Sequence, residues 1–362
     1  MIDDRLLQFG WNDSYESQFS QYRSSGLVPG RVTARNGYVY TLESAGGKIT
    51  AQVSGHFQYI ALEKSDYPAA GDWVLFRGES EPFIIEKVLD RKGYFSRLAA
   101  GNECEEQLIA ANIDIMFITA ALEGGRNFTE RGIERYIVMV REGGAQPVLI
   151  LNKCDLCAEE ERDNFIQRAK SVAGEIPVLM VSALTGEGVD AIRSLLQPGV
   201  TAAFTGPSGA GKSALINALL NETAQRTGAI RDDDKRGRHT TTHQELFTLE
   251  GGAMVIDTPG LRELRPYAEA ESVDLAFAEI ADAAKGCRFR DCTHTDEPGC
   301  NVLFLLSEGE IDPERYQNYV SLKREIAIFE MRKTEKGRSE QKAKEKQLSK
   351  IVREYKKKFS DG

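Results

Sequence analysis

The order of a few short segments limits this chain more than any one of them does. Asn152-Lys153-Cys154-Asp155 and Ser182-Ala183 come first, and the glycine-rich Gly206-Pro207-Ser208-Gly209-Ala210-Gly211-Lys212-Ser213 follows them. A polar stretch over 231–243 comes next, then Asp257-Thr258-Pro259-Gly260. The first two have the chemistry to read a purine and the rest the chemistry to hold phosphates, so the chain must fold back until 152–183 and 206–260 line one cleft. A domain whose termini lie close together can be rejoined and reopened elsewhere without disturbing such a cleft. The last of these segments is then followed by about one hundred further residues, to which its motion can be passed.

Gly206 to Ser213 fits the Walker A pattern, in which glycines let backbone amides wrap phosphates at a helix N-terminus. Lys212 is expected to neutralise the β- and γ-phosphates and Ser213 to hold Mg²⁺. By itself the loop means only a nucleoside triphosphate. Guanine choice rests on Asn152-Lys153-Cys154-Asp155, where the Asp155 carboxylate can accept from both N1–H and the exocyclic amine, a donor pair that adenine lacks. The Lys153 stem would lie along the base, Asn152 would brace the loop, and Ser182-Ala183 would offer a backbone N–H to the guanine carbonyl. Taken alone the tetrapeptide reads equally as a helix N-cap; its agreement with the phosphate loop disfavours that. Asp257 is expected to reach Mg²⁺ through water, and the Gly260 amide to face the γ-phosphate. Within 231–243 either Thr241 or Thr242 should close on Mg²⁺. Leu261 follows Gly260 where a water-orienting glutamine would serve hydrolysis, and an aliphatic side chain cannot polarise water. Slow intrinsic turnover is therefore expected, sped up when a partner, or His243 or His239, completes the site. His243 reads equally well as a surface residue where the next strand begins.

The chain of 362 residues suggests two or three domains. Strand and helix signals alternate from about Gln107, the pattern of a parallel sheet covered by helices on both faces, with ligand at the strand carboxyl ends. Before it, from Gly30 to about Leu98, come short alternating runs and an Asn36-Gly37 hairpin, with strands expected at Ile49–Val53, Phe57–Leu62, Asp72–Phe76 and Phe83–Leu89. These predict a small barrel, an OB-fold by economy. Arg35, Tyr38, Tyr40, Phe57 and Arg77 are its candidates for nucleic-acid contact, with core burial the competing reading of each aromatic. Residues 1–29 read as a partly helical extension docked through Leu6, Leu7, Phe9 and Trp11. The expected domains are thus 1–29 extension, 30–105 barrel, 106–271 nucleotide domain, 272–330 helical metal-binding domain and 331–362 basic helical tail.

The net charge of −9 argues against indiscriminate nucleic-acid binding. From Met331 to Gly362, however, twelve Lys and Arg stand against five Asp and Glu, leaving that tail at +7 and the remainder at −16. The tail reads either as an RNA-docking element or as a solvated helix with ordinary charge pairs. No leader-like start or bilayer-length apolar run is present, so a cytoplasmic protein without a membrane contact is expected. Cys154 and Cys157 make a Cys-x-x-Cys only by coincidence, on the edge of the guanine motif. Cys287, Cys292, His294 and Cys300 form Cys-x4-Cys-x-His-x5-Cys. Three thiolates and an imidazole suit one tetrahedral structural Zn²⁺; an iron–sulfur centre and unliganded thiols are the alternatives.

The rotated motif order resembles a circularly permuted P-loop GTPase. The whole set, with Gly237-Arg238-His239-Thr240-Thr241-Thr242-His243, Asp257-Thr258-Pro259-Gly260, the Cys3His ligands and Arg315-Tyr316-Gln317-Asn318-Tyr319, resembles the ribosome small subunit-dependent GTPase A family. The resemblance implies a multi-domain chain: N-terminal OB-fold, central α/β permuted GTPase domain, C-terminal helical zinc domain. It also implies a GTP-hydrolysing late assembly factor that binds the small ribosomal subunit and its rRNA, using GTP/GDP, Mg²⁺ and Zn²⁺, and that leaves on hydrolysis. A monomer is expected. Two other readings are an RNA-binding scaffold whose nucleotide only stabilises the fold, and a permuted GTPase of large-subunit assembly.

Overall fold

The computed structural model describes residues 3–61, 64–98, 106–122, 128–227, 244–257, 270–328 and 331. The chain divides into two compact units, Met1–Arg97 with Glu106–Ala268, and Leu98–Glu105 with Glu269–Gly362.

In the first unit, helices α1 (Asp4–Gln8) and α2 (Asp13–Ser20) precede β1 (Val28–Asn36), β2 (Val39–Ser44), β3 (Gly47–Val53), α3 (Gly55–Ile60), β4 (Trp73–Arg77) and β5 (Phe83–Val88). β1 pairs antiparallel with both β2 and β4, and β5 joins β4 to β3, so the five strands close into a barrel without a free edge between them. A bulge between Val32 and Ala34 helps β1 bend far enough to serve both neighbours. Val32, Tyr40, Leu42, Val74, Phe76 and Ile85 fill the interior. The expected strand at Phe57–Leu62 is instead the helix α3 over its described part. The Ser54 hydroxyl accepts from the Phe57 N–H at 2.9 Å and caps it, and Phe57 turns inward onto the barrel core. Tyr40 and Phe57 are therefore core residues, whereas Tyr38 is 67% exposed. The docking of the first residues also differs in detail: Leu6, Trp11 and Tyr15 are buried, with Trp11 edge-on to Trp73 at 4.7 Å, while Leu7 is exposed.

β6 (Tyr94–Leu98) and β7 (Glu106–Ala111) make a separate two-stranded sheet. Then follow β8 (Ile115–Ala121), α4 (Glu130–Glu142), β9 (Gln146–Asn152), α5 (Glu159–Ala173), β10 (Val178–Val181), α6 (Val189–Leu195), β11 (Thr201–Thr205), α7 (Lys212–Thr227), β12 (Gln244–Thr248) and β13 (Met254–Asp257). Their spatial order is β10-β9-β8-β11-β13-β12, parallel except for β12. Phe117, Ile150, Ala202, Phe204, Leu215 and Val255 lie in one apolar core between this sheet and its helices. β11 sits in the middle although three strand-and-helix steps, β8-α4, β9-α5 and β10-α6, precede it, which is the rotation that the motif order requires.

β12 also pairs antiparallel with β1, so barrel and nucleotide sheet form one eleven-stranded sheet. Ala34 of β1 faces Glu245, and Glu245 faces Asp257 of β13, on a single rung. Nearby, the Arg31 guanidinium is buried among backbone carbonyls rather than carboxylates. It donates to the Phe9 carbonyl, to Gly71 O at 3.3 Å and Asn112 O at 3.4 Å, and to Thr201 Oγ1 at 2.8 Å. It thereby ties extension, barrel and β11 together.

The second unit holds α8 (Ala270–Ala276), α9 (Ala278–Ala284), α10 (Asn301–Ser307) and α11 (residues 313–328). No described helix is long and apolar enough to cross a membrane.

Candidate nucleotide-binding site and metal cluster

The described residues predicted for the nucleotide site lie at the carboxyl ends of β9, β10, β11 and β13. Gly206 leaves β11 at φ 133°, and a methyl group there would run into the Thr119 carbonyl of β8, so the loop can start only with glycine. The loop ends at α7, whose first residues are Lys212 and Ser213. Lys212 is buried, and its Nζ donates to the carbonyls of Gly206 at 2.7 Å and Pro207 at 2.6 Å, across the concavity that the loop encloses. Ser213 is exposed, and Asp257 ends β13 beside the same loop's strand. An ammonium at the mouth of a helix N-terminus makes this a site for polyanions.

Asn152 joins the loop after β11 to the loop after β10. Its side chain is 1% exposed, donates from Nδ2 to Ala210 O at 2.9 Å and accepts at Oδ1 from Ala183 N at 3.2 Å. Lys153 stands in the left-handed region at φ 64°, which turns the chain sharply and presents the next residues to the cleft. The Ser182 hydroxyl donates to Asp155 Oδ1, fixing that carboxylate. Asp155 is half-buried, so the fixed carboxylate can meet a ligand from solvent. Cys154 is buried, and its thiol is pushed up to about 11, first by burial and next by its hydrogen bond to the Glu187 carboxylate. It is a packed thiol and not a redox group.

Thr241, His243 and Gly260 lie outside the described residues, as do His239, Thr242, Leu261 and the basic tail after Met331. Of the barrel candidates, Arg35 lies over the Tyr40 ring at 5.7 Å and Arg77 pairs with Glu86 at 2.8 Å. Arg162 and Glu187, which join the Cys154–Leu156 turn to the loop after β10, carry no motif signal and were not singled out by the sequence.

In the second unit, ligand atoms of Cys287, Cys292, His294 and Cys300 all lie within 4.8 Å of one another. Cys287 Sγ to Cys300 Sγ is 3.9 Å, and His294 Nδ1 is 3.6 Å from Cys287 and 3.5 Å from Cys300. Thiolates about 2.3 Å from a tetrahedral Zn²⁺ stand roughly 3.8 Å apart, so the spacing fits that ion. Burial opposes ionisation of Cys287, but the backbone amides of Val302 and Asn301 at the start of α10, together with the Cys300 and Cys292 thiols, outweigh it and lower its pKa. Cys292 is pushed up to about 12, chiefly by burial, and burial lowers His294. The neutral imidazole is the form that ligates a metal. His294 takes a left-handed φ of 60°, and the Tyr316 hydroxyl donates to its carbonyl.

A rotated α/β domain with a glycine-rich loop on its central strand and a five-stranded barrel ahead of it has the layout of a circularly permuted GTPase. The matches to known proteins agree. A family model described as RsgA GTPase matches residues 88–266. "Small ribosomal subunit biogenesis GTPase RsgA" of Methanosarcina acetivorans is 40% identical over 96% of this chain and 92% of its own length. The protein so named in Syntrophotalea carbinolica is 39% identical over 99% of both chains. The crystal structure of YjeQ from Thermotoga maritima is 27% identical, with a TM-score of 0.64, over 83% of this chain and 99% of that one. YloQ, a circularly permuted GTPase, shares the fold at 21% identity and a TM-score of 0.60, over 83% of this chain and 96% of that one. The chain belongs to the RsgA GTPase family, and it is a GTP hydrolase.

Proposed function

We propose that this GTPase times a late step in the biogenesis of the small ribosomal subunit: it binds the immature subunit and its rRNA with GTP in place and leaves after hydrolysis. Relatives about as long as this chain, near 40% identity, bear the name small ribosomal subunit biogenesis GTPase. The observation that carries the reading is the bond from Asn152 Nδ2 to Ala210 O, 58 positions later in the chain. It locks the purine-reading corner to the phosphate loop despite their reversed order.

In this reading Asp155 accepts the two guanine donors, Lys153 covers the base and the Ser182-Ala183 turn meets the guanine carbonyl. Amides of Gly206 to Gly211 cradle the phosphates, and Lys212 leaves its two carbonyl partners for the β- and γ-oxygens. Ser213 and Asp257, with Thr241, are the residues that would hold Mg²⁺, whose charge offsets that of the phosphates when bound. The Gly260 amide faces the γ-phosphate and His243 orients the attacking water. Leu261 leaves intrinsic turnover slow, which suits a timer. Cys287, Cys292, His294 and Cys300 hold one structural Zn²⁺, all four positions being taken by protein so that none is left for water. The barrel's exposed Tyr38 and the tail's positive charge are the proposed rRNA contacts. The protein works in the cytoplasm as a monomer, divided functionally into barrel, GTPase domain, zinc domain and tail.

A timer requires unequal subunit affinity in its two nucleotide states. Cosedimentation with isolated small and large ribosomal subunits, with GDP or a non-hydrolysable GTP analogue, is expected to give retention on the small subunit with the analogue and release with GDP. Equal retention in both states, or preference for the large subunit, would overturn it.

A further inference from the structure

Two loops must hold still together if a carboxylate is to tell guanine from a purine that lacks the exocyclic amine. One is the turn Cys154–Leu156 that carries Asp155; the other runs from Ser182 to Glu187. Each is closed on itself. In the first, Cys157 N–H donates to Cys154 O at 3.2 Å and Leu156 N–H to Lys153 O at 3.0 Å. In the second, Ser182 N–H donates to Glu187 O and Gly186 N–H to Ser182 O, both at 2.9 Å, while the Thr185 N–H donates to Ser182 Oγ at 3.1 Å. Glu187 is therefore rigidly related to Ser182 and Ala183, although its own side chain stands on the outer, exposed side.

Arg162, near the start of α5, spans the two from behind. Its Nη2 donates to Cys154 O at 2.9 Å, and its Nη1 donates to Glu187 Oε1 at 2.9 Å. The Glu187 carboxylate also stands near enough to the Cys154 thiol to help push it up to about 11. A planar guanidinium can hold two acceptors in fixed relation, which a lysine ammonium on a flexible stem cannot.

We infer that Arg162, with Glu187 as its counterpart, is a positioning pair for guanine specificity: it clamps the Cys154–Asp155 turn to the Ser182–Glu187 loop from the side away from the base. This rests on the proposed guanine site. Asp155 accepts from two donors of guanine and from only one of inosine's hypoxanthine base, which lacks the exocyclic amine. Loosening the clamp therefore weakens GDP binding more than IDP binding, and the preference narrows. A contribution to folding alone would weaken both equally.

The test is calorimetric titration of the full-length wild type and of Arg162→Ala with GDP and with IDP. Wild type is expected to prefer GDP by about tenfold or more, the worth of one good hydrogen bond to a charged group. In Arg162→Ala the ratio of the two dissociation constants is expected to fall by about threefold or more. Glu187→Ala, at an exposed position where folding is not at stake, should move the ratio the same way, and Arg162→Lys should not restore it. A wild-type preference that survives unchanged in Arg162→Ala and Glu187→Ala overturns the clamp while leaving the guanine site standing. A wild type without any preference overturns the guanine site itself.

Discussion

Asn152→Ala tests the joint on which the nucleotide site depends. The residue is 1% exposed and makes two hydrogen bonds to backbone groups of two different loops, Ala210 O at 2.9 Å and Ala183 N at 3.2 Å. Alanine leaves the carbonyl of fully buried Ala210 without this partner, at about 1–3 kcal/mol. The Ala183 N–H lies in a half-exposed residue that water can reach, so its loss costs about 0.5–1.5 kcal/mol. Together they come to about 1.5–4.5 kcal/mol, or roughly 10- to 1,600-fold at about 1.4 kcal/mol per decade. The bound state needs both loops locked, whereas the nucleotide-free fold needs only the sheet beneath them. Most of the loss should therefore fall on GDP affinity and less on thermal stability. Calorimetric titration with GDP, beside thermal unfolding of the nucleotide-free protein, separates the two. Asn152→Asp should be at least as damaging, because a carboxylate oxygen would face the Ala210 carbonyl. A GDP affinity within about threefold of wild type, with unfolding unchanged, would refute the reasoning.

Cys300→Ser removes one of the four clustered ligands and the thiol that accepts from the Leu303 N–H at the start of α10. Purified variant is expected to carry less than one equivalent of zinc by metal analysis and to lose helical signal on mild heating, while GDP binding by the first unit persists; full zinc occupancy would contradict the assignment. The Cys154 thiol, pushed up to about 11, stays protonated at neutral and mildly alkaline pH and begins to ionise only as pH approaches that value. Mass spectrometry after iodoacetamide treatment at about pH 8 should find Cys154 unmodified in native protein and modified after denaturation; labelling of the native protein at the rate of an exposed thiol would disprove the burial.

Much of the nucleotide domain was legible because its strands are short apolar runs that end in motif residues: Val178–Val181 before Ser182, and Thr201–Thr205 before Gly206. There chemistry and periodicity agree, and the rotated order reports the topology. The barrel was less legible. Phe57, Tyr59 and Ile60 offer the aromatic and β-branched character of a strand, yet the Ser54 cap and the turn of Phe57 into the core make a helix of the segment. Composition cannot show which of two hydrogen-bonding patterns a short aromatic run will join. Tyr38 and Tyr40 lie two apart, but the first is at the hairpin tip and the second seals the core. Arg162 could not be read because it works through a backbone carbonyl and a distant carboxylate, and only folding brings these together. The charge of Arg31 likewise gave no hint of burial among carbonyls contributed by the extension, the barrel and the β7–β8 connection.

The rung that runs Ala34, Glu245, Asp257 has an evolutionary consequence. A barrel attached only by a flexible tether could be traded for another by recombination at the linker. Here β1 supplies an edge that β12 already uses, so any substitute must arrive with a strand in the same direction and register. The pairing makes the barrel an inherited part of the nucleotide sheet rather than an exchangeable accessory.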